Sequence, residues 1–191
     1  NLYGGALTNS GVLRVDAEGS ASNQARLVIN NGAVIVLTGT GANLRCGYNV
    51  TNGIATNILD IAGTVRMPNA VTGNGRLILG RQCSLGQANL LSGGDLEVRY
   101  VQSSDNTSAT IGASEFNFDG GVLRAKESNT AFMAGLTNAY VRNGGAIIDS
   151  AGFDVTIAQP LRNGGSGGLT KNGLGTLTLT GTNLYTGLTT V

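Results

Sequence analysis

The chain has 191 residues, enough for one domain, with 31 glycines, 12% charged residues against a usual ~25%, and a hydrophobic share of 41%. That apolar content excludes intrinsic disorder, and a formal charge of +1 excludes the electrostatic footprint of a nucleic-acid or acidic-membrane binder. The absence of His removes the usual general base, the usual nitrogen ligand for metals and every His-containing triad.

The first residues, NLYGGALTNSG, carry no basic region, apolar stretch or cleavage site, and no apolar run reaches the ~20 residues that cross a bilayer. No membrane insertion by this segment is expected. From there the chain is a succession of short alternating runs. They are GVLRV (11–15), ARLVINNGAVIVL (25–37), ILDIAGTV (58–65), GRLILG (75–80), LLSGGDLEV (90–98), FNFDGGVLRA (116–125), YVRNGGAIID (140–149) and GLGTLTLTG (173–181). A period of two reads as strands.

Glycines between the runs, at Gly32, Gly63, Gly94, Gly121, Gly145 and Gly173, recur at a drifting step of roughly 24 to 31 residues. A hairpin sandwich would turn every ~8–12 residues, so the longer step points to stacked coils. LRCG (44–47) returns as LILG (77–80), like the same rung of the next coil. The expected fold is therefore all-β: a single-stranded, right-handed parallel β-helix, or β-solenoid, of about six to nine coils in one domain spanning 1–191. Inward Leu, Val and Ile would stack in a narrow core, with Gly at the corners where a sharp bend calls for positive φ. TAFMAGLTNAYV (130–141) is the best candidate for a helical turn or two, a flanking loop being the alternative. Pro68 and Pro160 fall between runs, and GGSGG (164–168) reads as a tight turn.

Few residues suggest chemistry. Asp16 with Glu18, and Asp95 with Glu97, are i,i+2 pairs on one strand face, the placement a glycosidase needs, with surface solvation as the competing explanation. Asp119 and Asp149 adjoin turns, where Asp bonds its own backbone. Cys46 would face Leu79, with Cys83 offset beyond it, so two buried free thiols are expected over a disulfide. Tyr3, Tyr48, Tyr100, Tyr140 and Tyr185 are unevenly spaced, as loop anchors rather than one adhesive face. The sequons at Asn49 and Asn106, and the glycines of GTGAN (39–43) and GNGR (73–76), are read as turns and loops. Ten arginines are scattered singly, as solvated faces. No catalytic residue, metal site or cofactor is assigned, and no enzymatic activity is expected.

The stretch GGLTKNGLGTLTLTGTNLYTGLTTV (167–191) resembles the autotransporter-associated β-strand repeat, also called the passenger-associated transport repeat, with the core G-L-T-K-x-G-x-G-T-L-T-L-x-G-x-N-x-Y-x-G-x-T-x-V. The matching positions are Gly168, Leu169, Lys171, Gly173, Gly175, Leu177, Leu179, Gly181, Asn183, Tyr185, Gly187, Thr189 and Val191; Leu188 replaces a usual Gly. A weaker resemblance reaches back to Phe116. The resemblance implies a secreted or surface-displayed bacterial β-helix, often a stalk in a longer polypeptide, and brings no catalytic residues.

In sequences of this kind the final T-x-V runs on into another Gly-x-Leu strand, and NLYGGALTNSGVLRV has that form. The chain is accordingly expected to be a structural unit of a surface stalk or head-to-tail filament, Val191 meeting the Asn1 of another copy covalently or by docking. The interface would comprise Asn1, Leu2, Tyr3, Gly5, Leu7, Leu188, Thr190 and Val191. The alternative is an adhesin segment that binds cell-surface glycan through loops on one flank.

Overall fold

The computed structural model describes residues 1–17, 23–47, 55–81, 83–103 and 112–191. Among these, 21 strands and no helix are found. Three parallel sheets form the walls. The first, of eight strands, contains β1 (Ala6–Asn9), β4 (Val34–Leu37), β7 (Thr64–Arg66), β10 (Asp95–Val98), β13 (Val122–Ala125), β16 (Ala146–Asp149), β19 (Leu169–Asn172) and β21 (Thr189–Thr190). The second, of seven, contains β2 (Leu13–Val15), β5 (Leu44–Cys46), β8 (Arg76–Leu79), β11 (Tyr100–Ser103), β14 (Asn129–Ala134), β17 (Val155–Ile157) and β20 (Leu177–Leu179). The third, of six, contains β3 (Gln24–Ile29), β6 (Thr56–Ile61), β9 (Leu85–Leu91), β12 (Ala113–Asp119), β15 (Asn138–Val141) and β18 (Leu161–Asn163).

From β1 to β20 the chain visits the sheets in strict rotation, so each strand lies on its equivalent one circuit earlier, as expected of a β-solenoid. The six strands of the third sheet enclose about five turns, slightly fewer than the six to nine coils expected, and the first sheet, with eight strands, continues past them at both ends. The LRCG echo falls in register, with Leu44 on Leu77 and Cys46 on Leu79.

The marker glycine Gly173 and the candidate helical stretch differ from the sequence reading. Gly173 is not the equivalent of the other marker glycines: it follows β19 at the corner to the second sheet, and the position before β19 is Gly168. The coil also shortens along the chain, as the first sheet shows. Thr64 pairs with Asp95 near the middle, whereas Ala146 pairs with Leu169 and Leu169 with Thr189 at the far end. The shortening comes largely from corners, since the long connections from β5 to β6 and from β11 to β12 give way to Gly135, Leu136 and Thr137 alone between β14 and β15. The candidate helical stretch at 130–141 is instead the end of β14, that corner, and β15. Gly135, with φ 73°, makes the turn, while Phe132 and Met133 are both buried beside a register irregularity in β14.

Alternation explains the core. In β9, Gly86, Ala88 and Leu90 point inward while Leu85, Gln87, Asn89 and Leu91 point out. Inward positions stack coil on coil. One row of the third sheet reads Leu27, Leu59, Ala88, Phe116, Ala139, Leu161. The fully buried Phe116 ring has Ala above and below it, which leaves room for its bulk, and it meets Phe118 edge-to-face at 4.7 Å. Corners are equally tight. A Cβ on Gly168 would lie 2.0 Å from the Leu188 carbonyl oxygen, so no other residue fits between these coils.

Candidate functional site

The outer face of the first sheet carries stacked opposite charges. Arg66 on β7 reaches Asp95 at 2.5 Å and Glu97 at 3.8 Å on β10, and Arg124 on β13 reaches Asp95 at 3.3 Å and also pairs with Asp149 on β16. Lys126 adds a contact to Glu97 at 3.9 Å. Asp95 and Glu97 share a face, as their spacing predicts, but the space around them is filled by cations. Partial burial works to raise the Asp95 carboxyl, and hydrogen bonds and charges from Arg66 and Arg124 outweigh it, holding the group below its ordinary range. A glycosidase acid needs the opposite shift. Of the other pair, Glu18 lies outside the described residues.

Because the folded Asp95 carboxyl is the stronger acid, its contribution to stability is full above the ordinary Asp value and is lost as pH falls through and below it. Thermal melting followed from pH 7 to pH 2 should show the midpoint falling below about pH 4, and Asp95→Asn should remove part of that fall.

The third sheet carries a different ladder. Asp60, Asn89 and Asn117 are register partners on β6, β9 and β12. Arg26 donates Nε to Asp60 Oδ2 at 2.6 Å, Asn89 donates to Asp60 Oδ1 at 2.7 Å, and Asn117 donates to Asn89 Oδ1 at 2.8 Å. Arg142 then donates Nε to Asn117 Oδ1 at 2.8 Å, while Gln87 and Glu115 brace the row from the side. Asp60 and Asn117 are buried although they point away from the core. The signal in the sequence is a polar residue beside apolar neighbours, in ILDI, ANL and FNF, repeated from coil to coil. A cleft of about 240 Å³ lies over this ladder, lined by Gln87, Asn89, Leu91, Asn117, Asp119 and Arg142.

Both cysteines are free and buried, as expected. Cys46 sits in the main core, and Cys83 packs in a small cluster with Ala17 and Ala55. Burial, reinforced by the neighbouring Cys83 thiol, pushes the Cys46 thiol far above its ordinary value. Iodoacetamide at neutral pH should leave Cys46 unmodified in the native protein and label it fully in denaturant, read by mass spectrometry.

The tyrosines do not gather. Tyr100 on the second sheet lies under Arg76, Tyr140 on the third lies under Arg142, Tyr3 is exposed, and Tyr185 packs against the core with its hydroxyl 2.8 Å from Thr189 Oγ1. Tyr48, Asn49 and Asn106 lie outside the described residues. Asp149 accepts from the Ala151 amide in its own turn, as expected, but Asp119 accepts from Gly144 of the next coil. The GTGAN and GNGR turns stack on one another, Asn43 donating to Asn74 at 2.9 Å.

The repeat-motif residues occupy the last coil and the start of another. Leu169 is in the core, Leu177 and Leu179 pack against it, and Gly173 (φ 76°) turns a corner. Asn183 accepts from the Leu161 amide at 2.9 Å, tying the final coil to β18, and Thr189 pairs with Leu169. Lys171 has a role that spacing alone did not suggest. Its register partner is Ile148, in an inward row, and its ammonium turns aside to Ser150 Oγ at 2.9 Å and the Gly173 carbonyl at 2.5 Å. Gly168, Gly175, Gly181 and Gly187 all stand where a Cβ would meet backbone closer than 3.0 Å.

Among the residues considered for end-to-end contact, Leu2 bridges to Ile29 and packs on the core, and Thr190 pairs with Thr170. Asn1 donates to the Tyr3 hydroxyl, Gly5 supplies its carbonyl to Val34, and Leu7 lies on β1 against Ile35. Leu188 and Val191 are exposed, at 87% and 94%. An apolar hollow of about 330 Å³ beside them is lined by Leu169, Leu177, Leu179, Thr189 and Val191. Among the described residues no cluster of three His, Cys, Asp or Glu side chains could hold a metal, and no helix is long and apolar enough to cross a membrane.

With this geometry in view, one comparison bears on function. The chain is 31% identical over 193 residues to the Adhesin BmaC autotransporter of Brucella suis biovar 1 (strain 1330), an alignment covering 97% of this chain. The chain spans 5% of the length of that relative. No protein-family model matches the chain. No solved structure matches it either. The parallel β-solenoid and this similarity together fit a bacterial surface or extracellular passenger of the autotransporter adhesin type.

Proposed function

We propose that the chain is a stalk-forming passenger segment of a bacterial surface adhesin, a non-catalytic β-solenoid that holds adhesive elements away from the cell. The observation that carries this reading is similarity to an autotransporter adhesin along 97% of the chain. An alignment that runs along nearly the whole solenoid suits a repeated coil better than an isolated site. The stretch at 167–191 is, in this reading, one autotransporter-associated strand repeat, its glycines and Lys171 serving coil packing. The charged ladder supports a structural role, since its carboxylates are occupied by arginines.

The neighbours of such a segment are further coils of the same kind, stacking on the apolar hollow at Leu177, Leu179 and Val191. Thr190 lies on the first sheet and Leu2 already bridges to the third, so a direct link from Val191 to the Asn1 of a second copy would leave no chain for a strand of the second. Contact between copies would place the exposed Leu188 and Val191 at the junction.

The test is display. Fused to an outer-membrane translocator barrel, the chain should reach the bacterial surface as a trypsin-resistant domain and raise attachment to epithelial cells above the barrel alone when it carries a known adhesive tip. Retention in the periplasm, or rapid surface proteolysis, would contradict the proposal.

A further inference from the structure

We propose that the cleft on the outer face of the third sheet is a binding site for a neutral, hydroxyl-rich polysaccharide lying along the solenoid axis across β9, β12 and β15. The inference rests on the surface-passenger reading above. It starts from the amide ladder, in which the buried atoms satisfy one another and so fix the rotamers of the side chains at the rim. Asn89 and Asn117 are committed to Asp60, Gln87, Glu115 and Arg142.

What remains is a set of outward atoms with no partner among the described residues. Gln87 uses its amide nitrogen on Asn89, leaving the carbonyl oxygen. Glu115 receives Asn117 and Arg142 on one oxygen and keeps the other. Asp119 receives the Gly144 amide on one oxygen and likewise keeps the other. Arg142 lies over the face of the Tyr140 ring, 4.7 Å from its centroid, so the guanidinium is held stacked at the end of the row. Acceptors on two successive coils, from Gln87, Glu115 and Asp119, are thus followed by the Arg142 donor on the third, beside the 240 Å³ cleft. Two strand spacings of ~4.8 Å make this row on the order of 10 Å long, the scale of an oligosaccharide rather than a single sugar.

Hydroxyl groups suit such a row because each can donate to a carboxylate or amide oxygen and accept from a guanidinium. Charge decides the ligand's sign. Arg26 neutralises Asp60, which leaves Glu115 and Asp119 against Arg142 alone, so an anionic glycan is disfavoured. Preformed side chains also reduce the ordering cost of binding.

The experiment uses the 191-residue chain and four probes: hexasaccharides of β-1,4-glucose, β-1,3-glucose, α-1,4-glucose and α-1,6-mannose. At least one should shift amide NMR signals of β9, β12 and β15 selectively, and the Gln87→Ala/Asp119→Ala double variant should weaken its binding about tenfold or more, as loss of two hydrogen-bonding groups implies. The double variant keeps the Asp60–Asn89–Asn117–Arg142 line but loses the Gln87 brace on Asn89 and the acceptor of the Gly144 amide, so its melting temperature and the hydrogen-exchange protection of β9 and β12 are measured beside the binding. No response from any probe at millimolar concentration, shifts on another sheet, or equal binding by the double variant would overturn the proposal. None of these results bears on surface display, so the two readings fail separately.

Discussion

Phe116→Ala should destabilise the protein by about 3–5 kcal/mol, read as a lowered midpoint in guanidinium unfolding. The residue is fully buried and its register partners are Ala88 and Ala139. The substitution would put three alanines in a row and leave a cavity that neither neighbour can fill. Phe118 would also lose its edge-to-face partner at 4.7 Å. Phe116→Leu should recover much of the loss, because volume, not aromaticity, decides it. In a face-to-face sandwich the same residue would have no reason to lie between two alanines so distant from it in the chain.

The second large effect is at Asn89. Asn89→Leu keeps the volume but should cost about 3 kcal/mol, since each buried polar group left without a partner costs ~1–3 kcal/mol and a charged one more. Asp60, nearly fully buried, would lose the donor to Oδ1, and Gln87 and Asn117 would lose their shared acceptor. Because the row continues through Asn117 to Arg142, protection from hydrogen exchange should fall on β6 and β12 together with β9. A substitution at exposed Thr178 serves as a control, with an effect of about 0.5 kcal/mol or less in either direction.

These two sites also mark what was readable in the sequence. Period-two runs located most strands of the first and third sheets, because Leu, Val and Ile alternate there with polar residues over enough positions to count. The LRCG and LILG pair pointed directly to the register of β5 on β8. The second sheet was harder. Strands such as β17, with Val155 and Ile157 inward, are so short that they barely complete one alternation. The stretch at 130–141 resembled a helix because adjacent apolar residues, Phe132 and Met133, are both buried at an irregularity in pairing.

The ladders could not be read before the register was known. Asp60, Asn89 and Asn117 look like isolated polar residues until coils of different length bring them onto one line. The arginines likewise looked scattered, yet Arg66, Arg124 and Arg142 each meet acidic partners on a neighbouring coil. Spacing within one strand is enough to put Asp95 and Glu97 on one face of β10. What surrounds the pair depends on β7 and β13, which belong to the preceding and following coils. The same limit explains Lys171, whose inward position follows from stacking on Ile148 and not from its own neighbours.

The most direct measurement of the central claim is a pair of distances between spin labels on the first sheet, placed by cysteine substitution while the buried Cys46 and Cys83 stay unlabelled. Thr64 and Thr170 are four register steps apart, and Ala6 and Thr190 are seven. At ~4.8 Å per step, stacked coils predict backbone separations of about 19 and about 34 Å, in proportion to the number of coils between them. Distances that do not scale with that number, or a short separation between Ala6 and Thr190, would contradict the solenoid.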